Sequence, residues 1–472
     1  MKPNLSDKQN TVKSVLITLM PQVVLIGFFA FWLMGNSSAV LPTVFTGLLA
    51  LLIAFLLIRT SGCFLELMRA GSDSLPDAAD VHGKRSLSPT VRHPVLTVIL
   101  MAALSRIVFF VAVYAIHTAV YGYESGILQM SALWDPPYSQ GSSYLNISNS
   151  WYAAPGFPTS SYLPLFPLYP ALVSGLNLLT GNRFLAGLIL SFLCFILSSA
   201  ALYRLVLNDH GNGCAFRAVW FLCVLPPSFL LNLPAADALY LLLSILTLSF
   251  ARRRRYFPAV LSAAAGAATA LTGVLLIVPV VFELMTDFRN DRSTSVDTGA
   301  LSGAYIPKML SAFLIPAVTV FCVTLIERRS GTVFPWFILS AELPNTGFTT
   351  VFQNFCTVVQ TFFHSFASGS AQALYGYVLP NLICFVAVPL LLLLSVRRIR
   401  LSFTVYGIFY YLAAFSFGNL VSAPRYSILC VPVLIGLAAC LKHKAWSFLF
   451  SILSIVLLSG YLYAFALQWG VF

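Results

Sequence analysis

Trp134-Asp135 opens the longest polar stretch in the first half of an otherwise apolar chain, WDPPYSQGSSYLNISNSWYAAPGFPTSSYLPLFPLYP, which ends at Pro170. Asp135 is the only acid between Glu124 and Asp209. A carboxylate with no cation near it in sequence can stay ionised and take a proton from an attacking hydroxyl. The plainer reading is a solvated loop acid. The neighbourhood favours chemistry: Trp134, Tyr138, Tyr144, Trp151, Tyr152, Phe157 and Tyr162 crowd one segment that also carries closely spaced prolines. Such aromatics stack on sugar rings, and they also form the interfacial belt of membrane proteins.

Three further residues stand out. Asp237 follows Pro226-Pro227-Ser228 and lies between two apolar runs. An acid there can cap a helix or belong to a site, and the sequence leaves both open. Arg425, in Ser422-Ala423-Pro424-Arg425, has a forked donor set that suits phosphate, although a lipid headgroup or an ion pair with an acid such as Asp237 would serve equally. Arg106 sits inside an apolar run, where a charge must face protein or a cavity. Arg328 and Arg329 fit snorkelling at a helix end. His117 and His364 are isolated, and no HExxH, Walker A, GxGxxG or Ser-His-Asp order occurs, so metal hydrolases and nucleotide-driven pumps have no support. The nine cysteines have no metal-ligand spacing and read as small core residues. Asn146-Ile147-Ser148 is a glycosylation sequon, meaningful only in a eukaryotic host.

The elements that must position these residues are helices in a membrane. Of 472 residues, 59% are hydrophobic and 9% charged, against about 25% charged in a soluble domain. Apolar runs of about 20 residues recur throughout, long enough to cross a bilayer. The runs are continuous, not alternating, which excludes a β-barrel. The net charge of +12 sits in short clusters between runs, where it orients the chain and does not call for nucleic acid. The expected fold is an all-α polytopic membrane protein of about 13 transmembrane helices. Residues 161–179 add a re-entrant or interfacial element, because Pro164, Pro167 and Pro170 interrupt them. A hairpin at 16–35 and 39–58 and a basic loop form an N-terminal part, 1–94. The remainder, 95–472, carries external loops at 118–183 and 326–376. Within these, 118–162 has no Lys or Arg. Residues 257–283 read as two short helices, and 287–303 as a polar cytoplasmic loop. Asp135, Asp237 and Arg425 then share the external face.

The order Ser105-Arg106, Trp134-Asp135, Tyr144-Leu145-Asn146-Ile147, Trp151-Tyr152, Leu165-Phe166-Pro167-Leu168-Tyr169-Pro170, Pro227-Ser228-Phe229, Asp237, Leu239-Tyr240 and Pro424-Arg425-Tyr426 resembles the PIG-V (GPI mannosyltransferase 2-like) family of GT-C membrane glycosyltransferases and its prokaryotic members. The resemblance spans about residues 95–440. It implies transfer of a sugar, mannose in that family, from a polyprenyl-phosphate donor to a glycan, lipid or protein acceptor outside the membrane. It also implies inversion at the anomeric carbon and no metal or other cofactor. Asp135 matches the family's base; Trp134, Tyr144, Asp237, Arg425 and Arg106 would bind substrate. The setting would be a prokaryotic plasma membrane, or the endoplasmic reticulum in a eukaryote. Three departures bear on donor and acceptor: Pro136 to Ser143 intervene after the Trp-Asp pair; Ala235-Ala236-Asp237 stands where the family has Tyr-Ser-Glu; and Leu271-Thr272-Gly273 replaces an Arg-Pro. The rival reading is a multi-pass transporter or lipid flippase, which predicts internal symmetry between halves; the sequence has no fixed-period repeat.

Overall fold

The computed structural model describes residues 40–69, 94–121, 141–153, 165–294, 298–330, 348–416 and 422–467. In chain order the helices are α1 (Val40–Arg69), α2 (Pro94–Tyr121), α3 (Gly141–Ser150), α4 (Leu168–Thr180), α5 (Arg183–His210) and α6 (Asn212–Val224). A 3-10 helix (Pro226–Asn232) precedes α7 (Asp237–Arg252) and α8 (Tyr256–Ala267). A second (Leu271–Leu276) precedes α9 (Ile277–Thr294), α10 (Thr298–Ala312), α11 (Leu314–Ser330) and α12 (Phe348–Ala367). The chain then runs through a π-helical turn (Leu374–Val378) into α13 (Leu379–Ser395), α14 (Leu401–Ala414), α15 (Ala423–Leu429), α16 (Val431–Cys440) and α17 (Lys444–Ala466). The described residues contain no β-strand. The expected all-α, multi-span architecture is therefore the architecture observed.

Among the described residues seven helices are long and apolar enough to cross a membrane, nine if each of two bent pairs counts as one. The expected count was about 13, of which the span at 16–35 lies outside the described residues. Expected spans are shortened or broken, and proline does much of this. Neither Pro226 nor Pro227 has an N–H to donate, and each restricts the residue before it, so α6 stops at Val224 and the chain turns by 76°. Pro432, one residue into α16, starts that helix after a 77° bend from α15. The two bent pairs pack limb to limb, α6 against α16 and the first 3-10 helix against α15. In α4, by contrast, Pro167 and Pro170 occupy the N-cap and first turn, where proline costs nothing. At 13 residues, about 20 Å, α4 is too short to cross a core of about 30 Å alone, as a re-entrant or interfacial element would be. It ends at Gly181, whose φ of +64° suits a residue without Cβ, and the side chain of Asn182 then caps α5 by accepting from Phe184 N and Leu185 N.

Two expected loops are helical in their described parts. Within 287–303, α9 runs on to Thr294 and α10 begins at Thr298; Asp287 and Asp291, one turn apart, both pair with Arg254 (3.1 and 3.2 Å) and Tyr305 donates to Asp291 (2.5 Å). The stretch 326–376 contains α12, which buries Val351, Phe352, Phe355 and Val359 against α1 and α13. Residues 257–283 do divide into two helices. Their close approach needs Gly273, where a Cβ would stand 2.1 Å from the Gly266 carbonyl oxygen. Helix α1 shares the main core with α2, α12 and α13; the rest of the expected N-terminal part, 1–39 and 70–93, lies outside the described residues.

The bundle has two chemically distinct ends. At one, Arg252 pairs with Asp209 (3.0 Å) and Arg400 grips Glu283 through Nη1 (2.9 and 3.0 Å). There Arg398 caps α16 through the Ala439 and Cys440 carbonyls, and His210 meets the Arg398 carbonyl. Helix α7 begins at Asp237 and ends at Arg252, 16 residues or about 24 Å later. Asp237 therefore lies at the opposite end from these basic clusters.

Candidate active site

The site is built outward from a helix break. Where α6 ends, its last carbonyls lack i+4 donors. Arg106 supplies them from the middle of α2: Nη2 donates to the Cys223 carbonyl (3.2 Å) and Ser228 Oγ (2.6 Å), and Nη1 to the Ser228 carbonyl (2.6 Å) and Asn232 Oδ1 (3.4 Å). Nε reaches Ser105 Oγ (3.3 Å), and the guanidinium lies between the Phe109 and Phe195 rings (4.4 and 3.9 Å to the centroids). Arg106 is fully buried. These donors go to protein, and their partners are carbonyls, hydroxyls and an amide near the break, not an acid. Arg106 positions the segment that leads to Asp237.

That segment, Leu233 to Ala236, rests on α5. Gly187 is what admits it, since a Cβ there would come within 2.9 Å of Pro234 Cβ and 3.3 Å of the Tyr169 hydroxyl. Tyr169 donates to the Gly187 carbonyl (3.1 Å) and lies 3.2 Å from Ser191 Oγ, which reaches the Ala235 carbonyl (3.4 Å). The turn so held releases Asp237 at the first position of α7. The N-cap residue is Ala236, with no side-chain cap, so Asp237 is free for another task. Its carboxylate takes two bonds from Arg425, from Nε (2.7 Å) and Nη2 (2.9 Å). The ion pair, one of the readings open in the sequence, is present. The side chains remain 10% and 16% exposed.

Arg425 is held from its own side. Ser422 Oγ caps α15 by accepting from Arg425 N (3.2 Å), and Asn381 Oδ1 accepts from Ala423 N (2.6 Å). Asn381 itself donates to the Tyr377 carbonyl (2.8 Å) and is fully buried. Tyr144, on α3, meets Tyr169 edge to face (5.2 Å between centroids) and lies within electrostatic reach of both Arg425 and Asp237. Burial pushes the Tyr144 phenol above its ordinary range, so it stays a neutral donor. After α3, Trp151 and Tyr152 both adopt left-handed backbone (φ +49° and +67°). Side chains other than glycine resist that conformation at roughly 1–2 kcal/mol each. The Tyr152 hydroxyl, donating to the Leu165 carbonyl at 2.8 Å, fastens the turn.

Of the residues singled out in the sequence, Tyr144, Asp237 and Arg425 therefore come together, and Arg106 stands behind them. Trp134 and Asp135 lie outside the described residues. Asn381, Gly187 and Tyr169 were not among the candidates. Asn381 had a signal, a lone amide in the apolar run LPNLICFVAV. Gly187 had none, because its role depends on a turn some 47 residues away that only the fold brings near. Among the described residues no three His, Cys, Asp or Glu side chains gather as a metal-holding set.

No protein-family model matches the chain, and no curated protein is similar to it. Among solved structures, the chain is similar to ArnT from Cupriavidus metallidurans bound to undecaprenyl phosphate, with TM-score 0.41 and 14% identity over 74% of this chain and 62% of that one. It is also similar to an Archaeoglobus fulgidus oligosaccharyltransferase tethered through a disulfide to an acceptor peptide containing the NVT sequon, with TM-score 0.41 and 12% identity over 80% of this chain and 55% of that one. The chain thus spans less than two thirds of either neighbour's length. At that level the likeness bears on neither activity nor substrate.

Proposed function

We propose that this protein is a GT-C-type membrane glycosyltransferase, similar to the PIG-V family, that moves a sugar, mannose first among candidates, from a polyprenyl-phosphate donor to an acceptor. The observation that carries this reading is the convergence of the motif pieces. Arg106 binds Ser228; Tyr144 packs on Tyr169; Tyr169 and Ser191 hold the turn before Asp237; and Asp237 grips Arg425. These residues are scattered over more than 300 positions and meet at one end of the bundle, opposite the basic clusters.

In this mechanism the acceptor hydroxyl oxygen attacks the anomeric carbon from the face opposite the lipid phosphate and gives its proton to Asp135. The bond from the anomeric carbon to the phosphate oxygen breaks, and its electron pair leaves with the phosphate. Arg425 stabilises the negative charge that gathers there. Asp237 occupies one edge of the guanidinium and fixes its plane. Tyr144, neutral and adjacent, is a donor to the same polar head. No step calls on a metal or other cofactor. The donor's isoprenoid tail lies among the helices, which is why the site belongs at a membrane boundary. By the positive-inside rule the basic end is cytoplasmic and the site external, in a plasma membrane.

The test is an assay of the purified chain in lipid nanodiscs with several polyprenyl-phosphate sugars. Asp135→Asn is expected to insert normally and lose transfer by at least a hundredfold; wild-type transfer by that variant would remove Asp135 from the chemistry. One observation favours a second reading, a transporter or flippase. Two broken helices packed limb to limb are a cavity-lining feature of secondary transporters. Net movement of a lipid-linked sugar across sealed proteoliposomes, with no transfer product in the nanodisc assay, would select it.

A further inference from the structure

Behind the Arg425–Asp237 pair lies a set of tyrosines that the proposed transfer does not use. Tyr240 stands one turn below Asp237 on α7, and its hydroxyl pairs with that of Tyr406 on α14 (3.2 Å). Tyr410, one turn further along α14, stacks on Tyr240 with ring centroids 6.3 Å apart and planes at 24°, and is tilted against Tyr406 (5.9 Å). Helix α14 starts beside the Arg400–Glu283 pair at the basic end and climbs toward the site. Four residues carry Tyr410 about 6 Å beyond Tyr406 in that direction. Consistent with this, Tyr410 is within electrostatic reach of Asp237 and Tyr426.

The Tyr410 hydroxyl is buried, the residue being 1% exposed, and it has no hydrogen-bond partner among the described residues. The neighbouring hydroxyls are partnered: Tyr406 donates to Tyr240 (3.2 Å), which donates to the Thr272 carbonyl (3.4 Å). A buried hydroxyl left without a partner costs stability, and phenylalanine would fill the same space without that cost. A group kept at such a cost beside a charged pair points to a partner beyond the described residues, and a substrate at the adjacent site is one.

We propose that the Tyr410 hydroxyl is the floor contact of the site and recognises an oxygen of the sugar carried by a lipid-phosphate donor. The inference rests on the transferase reading above and assigns a specificity-determining residue to it. The chemistry selects the sugar over the other parts of the donor. An isoprenoid tail offers no acceptor, and the phosphate is the natural partner of the Arg425 fork. A sugar hydroxyl or ring oxygen is the remaining acceptor that reaches below the pair. A site built to bond a substrate oxygen discriminates strongly against ligands that lack it, because the buried donor is then left unpaired.

The test compares the wild-type chain with Tyr410→Phe, purified in nanodiscs. Melting temperature is read without ligand, with polyprenyl phosphate, and with polyprenyl-phosphate-mannose and -glucose. Without ligand, Tyr410→Phe is expected to melt at or above the wild-type temperature. It is expected to keep the stabilisation given by polyprenyl phosphate, lose the increment added by the sugar, and bind the sugar-bearing lipid about tenfold more weakly. Two results would overturn the proposal. One is a full sugar increment in Tyr410→Phe. The other is a fall of several degrees without ligand, which would show that the hydroxyl already serves the fold through an internal water. Absence of any sugar increment in the wild-type chain is a different failure; it would remove the transferase reading, and this inference with it.

Discussion

The charge at the site is organised by two residues, and their energetics can be separated from their chemistry. Arg425 and Asp237 are each mostly enclosed and joined by two short bonds. Removing one partner of such a pair strands the other charge, which costs about 3–5 kcal/mol, whereas removing both costs much less. We expect Arg425→Ala and Asp237→Ala each to lower the melting temperature strongly, and the double variant to melt above either single one. Additive losses in that double-mutant cycle would mean that the two side chains are stabilised by other partners. Donor binding should follow a different order: Asp237→Ala, which leaves the guanidinium in place, should weaken it less than Arg425→Ala. This pair was legible in the sequence as two isolated charges flanked by prolines and apolar runs, and even their mutual pairing was an open reading. The task of Arg106 was not legible. Its partners are the backbone carbonyls of Cys223 and Ser228, and a carbonyl becomes an acceptor in need only where a helix breaks.

At the scale of elements, the site depends on how closely α5 and the Leu233–Ala236 turn approach. Gly187 sets that distance. A single methyl at this position would meet Pro234 Cβ at 2.9 Å, and Pro234 belongs to backbone that cannot yield without carrying Asp237 with it. Gly187→Ala is thus expected to fold and insert, because the clash is local, yet to lose transfer by about a hundredfold. Displacements of about 1 Å at a reacting centre produce losses of that size. Unchanged transfer by Gly187→Ala would show that the turn can shift without moving the site. This contact was not legible in the sequence, for a glycine in an apolar run looks the same whether its face is empty or covered. Helix α12 lies within the expected external stretch 326–376 for a related reason: its apolar face shows its purpose only once α1 is packed on it, as in the Phe45–Phe363 contact (6.4 Å between centroids).

At the scale of the whole molecule, the separation of charge between the two ends makes the orientation testable. The basic clusters around Arg252, Arg398, Arg400 and Lys442 occupy the end of the bundle where α7 and α5 finish, and the Arg425–Asp237 pair lies where α7 begins. Cytoplasmic loops carry the excess of Lys and Arg in membrane proteins, so the site should face outward. The same division was readable from the order of basic clusters along the chain, because orientation is written in composition and not in packing. Two positions report on it. Arg183 is exposed at the start of α5, beside the turn that leads to Asp237, and His443 is exposed just before α17, next to Lys442 and Lys444. All nine native cysteines are buried or only partly exposed, which favours a low labelling background. In intact cells a membrane-impermeant maleimide should label Arg183→Cys at once and His443→Cys only after permeabilisation. The reverse pattern would place the Arg425–Asp237 site on the cytoplasmic face, and the donor would then have to be supplied with its sugar on the inner leaflet.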